Sequence, residues 1–222
     1  MSQPSLSLEY LVRPANQTTN ETPVLFMLHG YGSNEEDLFS FASELPKELF
    51  IISVRAPYKL EPFGHAWYAI NFDAQNGKWS DDEQAILSCE KMLNFMEDAC
   101  NAYNLNKKNI TLLGFSQGTI LSYALALSNP EKIQNVIALS GYVNEGILTD
   151  GYKDKDHSNL NIYASHGQVD QVIPIEWAQR APVFLKKLGV NHKFEEFPVG
   201  HGVAPQNFYS FRTWLENILN LK

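Results

Sequence analysis

Five short, largely apolar runs constrain this chain more than any other feature: residues 23–28, 50–54, 110–113, 136–139 and 161–164. They are continuous rather than alternating, which suits strands buried on both faces. Stretches with helical spacing separate them. Strand and helix signals that take turns along a chain build an open, mainly parallel β-sheet with helices on both faces. At 222 residues the chain is the size of one domain with a substantial core. It shows no internal repeat and no linker, so a single α/β domain over 1–222 is expected.

End signals define the remaining elements. Residues 6–12 are short and partly alternating, as an edge strand is, and 193–197 form a last strand. Ser33 with Glu36 reads as a capping box, opening a helix that runs to Leu45 and stops near Pro46. Ser80 with Glu83 opens a long helix whose apolar positions Ile86, Cys89, Leu93, Met96 and Cys100 recur at helical spacing. A helix over 119–127 is apolar almost all round and is expected to pack deeply. Another over 175–188 closes at Gly189, and an amphipathic helix covers 206–219. Residues 55–79 read as loop, with a turn at Asn76-Gly77. Residues 144–159 are polar and irregular, too short for a large lid.

Charge narrows the partners. There are 17 Lys+Arg against 25 Asp+Glu, a formal net charge of -8. That balance disfavours nucleic acid and anionic membrane surfaces. No apolar stretch approaches the ~18 residues of a membrane span, so no membrane insertion is expected. Cys89 and Cys100 lie eleven residues apart on one predicted helix. At ~1.5 Å per residue they are about 16 Å apart, too far to bridge. They are expected to be buried apolar side chains on one face. Residues 1–5 lack the basic and apolar regions of a secretory leader. The cytoplasm is the expected compartment.

Polar and glycine-rich clusters fall at the carboxyl ends of the predicted strands, where open parallel sheets bind ligands. The sharpest is Gly114-Phe115-Ser116-Gln117-Gly118, at a strand-to-helix handover. By composition alone, a chain like this carries such a G-x-S-x-G match in about 5% of shuffles, so its position gives it weight. Serine is a poor nucleophile until its hydroxyl is exposed, deprotonated and provided with a site for the oxyanion. A sharp turn flanked by glycines provides the exposure.

A base and a buried acid must then follow the serine in that fold. His192 and His201 are the histidines in the right order. His192 begins a strand beside Lys193 and is expected to be exposed. His201 sits in a Gly-His-Gly loop after the last strand, where the backbone can bring its ring over the serine, and is the better-placed base. Among the acids, Asp154 and Asp156 lie in the lysine-rich polar loop. Asp170 follows a buried strand end within His166-Gly167-Gln168-Val169-Asp170 and is the better-placed acid; its competing role is to cap a turn. For the oxyanion, one N–H comes from Gln117, after the nucleophile. The other comes from the His29-Gly30-Tyr31-Gly32 turn, with Tyr31 the better-placed donor. His29 is read as structural, hydrogen-bonding backbone near the site. Phe63, Trp67, Tyr68, Val172 and Ile173 are expected to line an acyl groove, with ordinary packing as the competing role of each.

Together, Leu28-His29-Gly30-Tyr31-Gly32, Ala66-Trp67-Tyr68, Gly114–Gly118, Ser165-His166-Gly167-x-x-Asp170 and Gly200-His201 resemble the phospholipase/carboxylesterase family of α/β-hydrolases. This group contains small bacterial carboxylesterases and acyl-protein thioesterases. The match covers about residues 23 to 203. The resemblance implies an α/β-hydrolase fold without a large lid and a Ser116-Asp170-His201 triad. It also implies oxyanion donors at Tyr31 and Gln117, and hydrolysis of carboxylic esters or thioesters. It implies no metal and no organic cofactor, a small-molecule ester or thioester substrate, and a homodimer as a possible assembly. The short polar loop after Tyr142 leaves the site fairly open, so a short- or medium-chain acyl group is expected. One departure stands out: the family often has an acid where this chain has Ala69. Two other readings share the fold: a serine peptidase or acyltransferase, and a non-catalytic binding protein, the last of which would predict a damaged triad.

Overall fold

The apolar runs lie side by side. The computed structural model describes residues 3–73 and 77–221. In chain order its elements are β1 (Tyr10–Arg13), β2 (Val24–Leu28), α1 (Glu36–Phe39), β3 (Phe50–Val54), β4 (Tyr58–Lys59), β5 (His65–Ala66), β6 (Ile70–Asp73), β7 (Gly77–Ser80) and α2 (Asp82–Tyr103). There follow β8 (Ile110–Phe115), α3 (Gln117–Ser128), β9 (Asn135–Leu139), β10 (Asn161–Gly167), α4 (Ile175–Ala178), α5 (Arg180–Lys187), β11 (Asn191–Phe197) and α6 (Pro205–Ile218). Seven strands form the main sheet in the order β1-β3-β2-β8-β9-β10-β11. β1 is antiparallel to β3 at one edge, and every other pair is parallel.

Strand position explains strand composition. β2, β3 and β9 have neighbours on both sides, and all their residues are buried. Alternate side chains feed two cores. Val24, Phe26 and Leu28 join Met92 and Phe95 of α2 and Leu121 of α3. Leu25 and Met27 face the other way, with Leu38 of α1 and Phe208, Phe211 and Leu215 of α6. Full burial of one such side chain stabilises by about 2 kcal/mol. The far edge strand, β11, has no fully buried residue. α3 is buried from Gln117 to Ser128, as its all-round apolar sequence predicts. Between β9 and β10 lie only two single-turn helices, Glu145–Ile147 and Tyr152–Asp154, so no large lid covers this end of the sheet.

Several local expectations are corrected. The helix expected over 33–45 keeps one α-turn. Beyond it the backbone bonds span three residues, as in Phe41 N–H to Leu38 and Ala42 N–H to Phe39. The Ser40 hydroxyl donates to the Asp37 carbonyl at 2.7 Å, competing with helix continuation. Ser33 donates to Asp37 instead of capping. The cap of α2 is Asp81, not Ser80, and it accepts from the Gln84 N–H. Its buried residues are Ala85, Ser88, Met92, Phe95, Met96, Ala99 and Cys100, so of the expected face Met96 and Cys100 are buried, whereas Ile86 is exposed and Cys89 and Leu93 are half-buried. The helix expected over 175–188 breaks at Gln179, because Pro182 has no N–H for the Ala178 carbonyl. Residues 55–79 contain two short hairpins, β4–β5 and β6–β7. Asn76 of the expected Asn76-Gly77 turn lies outside the described residues.

Candidate active site

β8 gives way to α3 within one residue. Ser116 adopts φ 53°, ψ −115°, a conformation that L-residues disfavour and that the surroundings must impose. Its N–H donates to the Leu139 carbonyl of β9 at 2.9 Å, and its carbonyl accepts from Thr119 and Ile120. The flanking glycines follow from close backbone approach. A Cβ on Gly118 would lie 2.0 Å from the Leu28 carbonyl oxygen, and one on Gly114 would lie 2.5 Å from that of Gly118. The elbow is therefore pressed against the end of β2, with the Ser116 residue 9% exposed.

Asp170 and His201 arrive on loops after β10 and β11. His201 Nε2 lies 2.9 Å from Ser116 Oγ, and His201 Nδ1 lies 2.7 Å from Asp170 Oδ2. The Asp170 carboxylate is fully buried. Its Oδ1 accepts N–H bonds from Val172 at 2.8 Å and Ile173 at 3.0 Å. Burial pushes this carboxyl up. The Ile173 and Val172 amides and the His201 ring outweigh it and hold the group below the ordinary carboxylate value. His166 Nε2 stands 3.3 Å from Asp170 Oδ2 and 2.9 Å from the Ile173 carbonyl, so this second ring steadies the acid loop. An anionic acid on one ring nitrogen leaves the other free to take the serine proton. His192 is half-buried rather than exposed; it registers with Ile162 near the start of β10, at the opposite end of the strands from Ser116.

Two residues beside Ser116 have uncommitted backbone donors. Tyr31 and Gln117 both line the groove, and among the described residues neither N–H donates to another protein group. His29 explains the orientation of the first. The Ala56 N–H donates to His29 Nε2 at 3.0 Å, so Nδ1 carries the proton and donates to the Gly30 carbonyl at 2.7 Å. In a trans peptide the carbonyl and the N–H point opposite ways, so fixing Gly30 O directs the Tyr31 N–H away from His29. Burial lowers the His29 pKa and keeps that ring neutral.

The groove beside Ser116 encloses 450 Å³. Its walls are mainly apolar: Tyr68, Ile70, Ile120, Tyr142, Ile173 and Trp177 among them, with Val172 at the rim. Such a surface accepts a hydrocarbon chain without leaving polar groups unpaired.

A sequence model of the phospholipase/carboxylesterase family matches residues 13–219. The chain belongs to this family. It is 27% identical to an acyl-protein thioesterase 1 of Candida albicans over 96% of this chain and 99% of that protein. It is also 27% identical to a probable carboxylesterase of Oryza sativa subsp. japonica, over 69% of this chain but only 58% of that protein's length. Among solved structures, the carboxylesterase of Bacillus cereus superposes with a TM-score of 0.80 at 19% identity, covering 95% of this chain and 94% of that one. A carboxylesterase from Mesorhizobium loti gives 0.79 at 21% identity, over 95% of each. These last two share the α/β-hydrolase fold.

Within this family member, two expected groove residues stand elsewhere. Trp67 is completely buried and donates its indole N–H to the His29 carbonyl at 2.9 Å, with its ring against the His29 ring. It braces the start of the His29-Gly30-Tyr31-Gly32 turn. Phe63 is 79% exposed, off the groove wall, on the β4–β5 hairpin. Tyr68, Val172 and Ile173 do line the groove. Ala69 lacks the family's acid, yet its backbone is gripped at both ends: its N–H donates to Gln84 Oε1 at 2.9 Å and its carbonyl accepts from the Asp81 N–H.

Two features escaped the sequence. The Gln117 side chain clamps the loop opposite, accepting from the Trp67 N–H and donating to the Tyr68 carbonyl, both at 2.8 Å. Tyr142 and Trp177 meet edge to face at 5.0 Å and form one groove wall. Tyr142 directly follows Ser140-Gly141 at the end of β9, a position where the strand-end rule points to ligand contact. Both cysteines are free. Burial pushes the Cys100 thiol up to about 11, which leaves it unreactive.

Proposed function

We propose that this protein hydrolyses carboxylic esters or thioesters of short- to medium-chain acyl groups, through an acyl-enzyme on Ser116. The observation that carries this reading is the unbroken hydrogen-bonded line Asp170–His201–Ser116 at the side of an apolar groove. His201 Nε2 takes the hydroxyl proton as Ser116 Oγ attacks the acyl carbonyl. The N–H groups of Tyr31 and Gln117 hold the tetrahedral oxyanion. The intermediate collapses, the C–O or C–S bond breaks, and the alcohol or thiol leaves with the proton from His201. Water, deprotonated by the same ring, then attacks the acyl-Ser116 carbonyl and releases the acid. Asp170 stays anionic and fixes the His201 tautomer. The substrate is a small-molecule ester. The cytoplasm, where thiols stay reduced, suits the free cysteines. A homodimer is the proposed assembly on family resemblance alone.

A fluorophosphonate probe with p-nitrophenyl acetate, octanoate and palmitate tests the reading. Wild type is expected to label at Ser116 and to turn over acetate and octanoate faster than palmitate. Ser116→Ala and His201→Ala are expected to abolish labelling and lower kcat on the order of 10⁶-fold. A folded wild type that neither labels nor turns over any ester would overturn it in favour of a binding role.

A further inference from the structure

The turn that carries Tyr31 has little regular structure of its own. Residues 30–35 connect β2 to α1 across the mouth of the groove. Their positions are set from outside. His29 holds the Gly30 carbonyl. The β5 backbone holds the middle, with Gly32 N–H donating to the His65 carbonyl at 2.9 Å and His65 N–H to the Ser33 carbonyl at 2.8 Å. The far end is held by a charge. Glu35 is only 6% exposed, and its carboxylate accepts from both arms of the Arg55 fork: Nε to Oε2 at 2.6 Å and Nη2 to Oε1 at 2.5 Å.

We propose that Arg55 is a positioning residue for the reaction, acting through Glu35 to keep the Tyr31 N–H aimed at the oxyanion. The proposal rests on the reading of Tyr31 as an oxyanion donor. Arg55 is well founded for this task. It follows Val54, the residue registered with Leu28 at the end of β2, and its own N–H donates to the Glu9 carbonyl at 2.8 Å. It therefore projects from the rigid end of the sheet, beside the strand that feeds the turn. The planar fork fixes Glu35 in direction as well as distance, which a point charge does not. Removing the guanidinium leaves a buried carboxylate without its partner, and the turn must move to hydrate it. Burial alone would raise the Glu35 carboxyl, and the Arg55 bonds hold it below the ordinary carboxylate value. The third arm of Arg55 reaches Glu9, which is 73% exposed. An exposed contact of this kind contributes little to position.

The test compares Arg55→Gln, Arg55→Lys, Glu35→Gln and Glu9→Gln with wild type. Active sites are counted by fluorophosphonate titration, so that only folded protein enters kcat. Arg55→Gln and Glu35→Gln are expected to lower kcat about tenfold or more, part of the 10²–10³ cost of losing an oxyanion donor outright. KM for p-nitrophenyl acetate is expected to stay within about twofold. An aryl trifluoromethyl ketone, which forms a tetrahedral adduct on Ser116, is expected to bind more weakly in proportion to kcat. Arg55→Lys is expected to recover only part of the loss, the Arg55→Gln/Glu35→Gln double variant to be no worse than the worse single one, and Glu9→Gln to match wild type. A merely structural role would lower the melting temperature and leave kcat per titrated site and ketone affinity unchanged; that result, in whichever Arg55 or Glu35 variant folds, overturns the proposal while the hydrolase reading stands. A wild type that fails to label overturns both.

Discussion

Ser116 stands between two buried elements, whereas Asp170 and His201 hang on loops beyond the last two strands. The elbow is made by main-chain contact with β2 and β9, and every residue of α3 behind it is buried. The acid loop has exposed neighbours at Val169 and Val172 and is held by a few bonds, such as Gln168 N–H to the Phe197 carbonyl. Ser116 is thus a property of the core, and Asp170 and His201 are a property of the rim. A strained serine persists only where packing over-determines it. An acid and a base need only be aimed, which hydrogen bonds accomplish. Changes at the rim should therefore cost activity and spare the fold, and changes that crowd the elbow glycines should cost the fold itself.

The rim supplies the largest expected effect. Asp170→Asn keeps the shape of the side chain but allows the wrong His201 tautomer, and kcat is expected to fall about 10⁴-fold. Circular dichroism is expected to stay near wild type, and the melting temperature at neutral pH to fall only slightly. An Asp170→Asn protein that failed to fold would erase the difference between the two regions. The elbow supplies the next. Gly118→Ala places a Cβ 2.0 Å from the Leu28 carbonyl oxygen, and denaturant titration is expected to show a loss of about 3 kcal/mol or more. Wild-type stability in Gly118→Ala would mean that the turn can relax away from β2.

The smallest effect concerns acid. The Asp170 carboxyl lies below its ordinary value in the folded protein. Its stabilisation is therefore present above about pH 4, the unfolded value, and is lost as pH falls through the lower folded value. The gap in denaturation midpoint between wild type and Asp170→Asn is expected to narrow as pH drops below 4. A gap that is constant with pH would show that Asp170 is not ionised at the rim.

Much of this was legible. The continuous apolar runs became the buried strands, because a strand covered on both faces has no polar side to alternate. Ser116, Asp170 and His201 were legible from order and from their places after strands, and the structure sets them within hydrogen-bonding distance. Local signals misled where tertiary contacts competed. Ser33 and Glu36 carry a capping pattern, but side-chain bonds around Asp37 end the helix after one turn. The Pro182 break was readable in principle, since a missing N–H acts locally. Trp67 was not: an aromatic beside a site reads equally as a groove wall or as a brace, and only its burial against His29 separates them.

The sequence by itself determined the layered α/β fold, the elbow and the placing of Asp170 and His201 after the last two strands, because these depend on periodicity, on glycine and on chain order. Only the tertiary structure decided which aromatics face the groove, how Gln117 clamps residues 67 and 68, and that Arg55 reaches Glu35 across 20 residues. Those contacts join segments that are distant in the chain. No local preference encodes them, and they exist only once the sheet has brought its strand ends together.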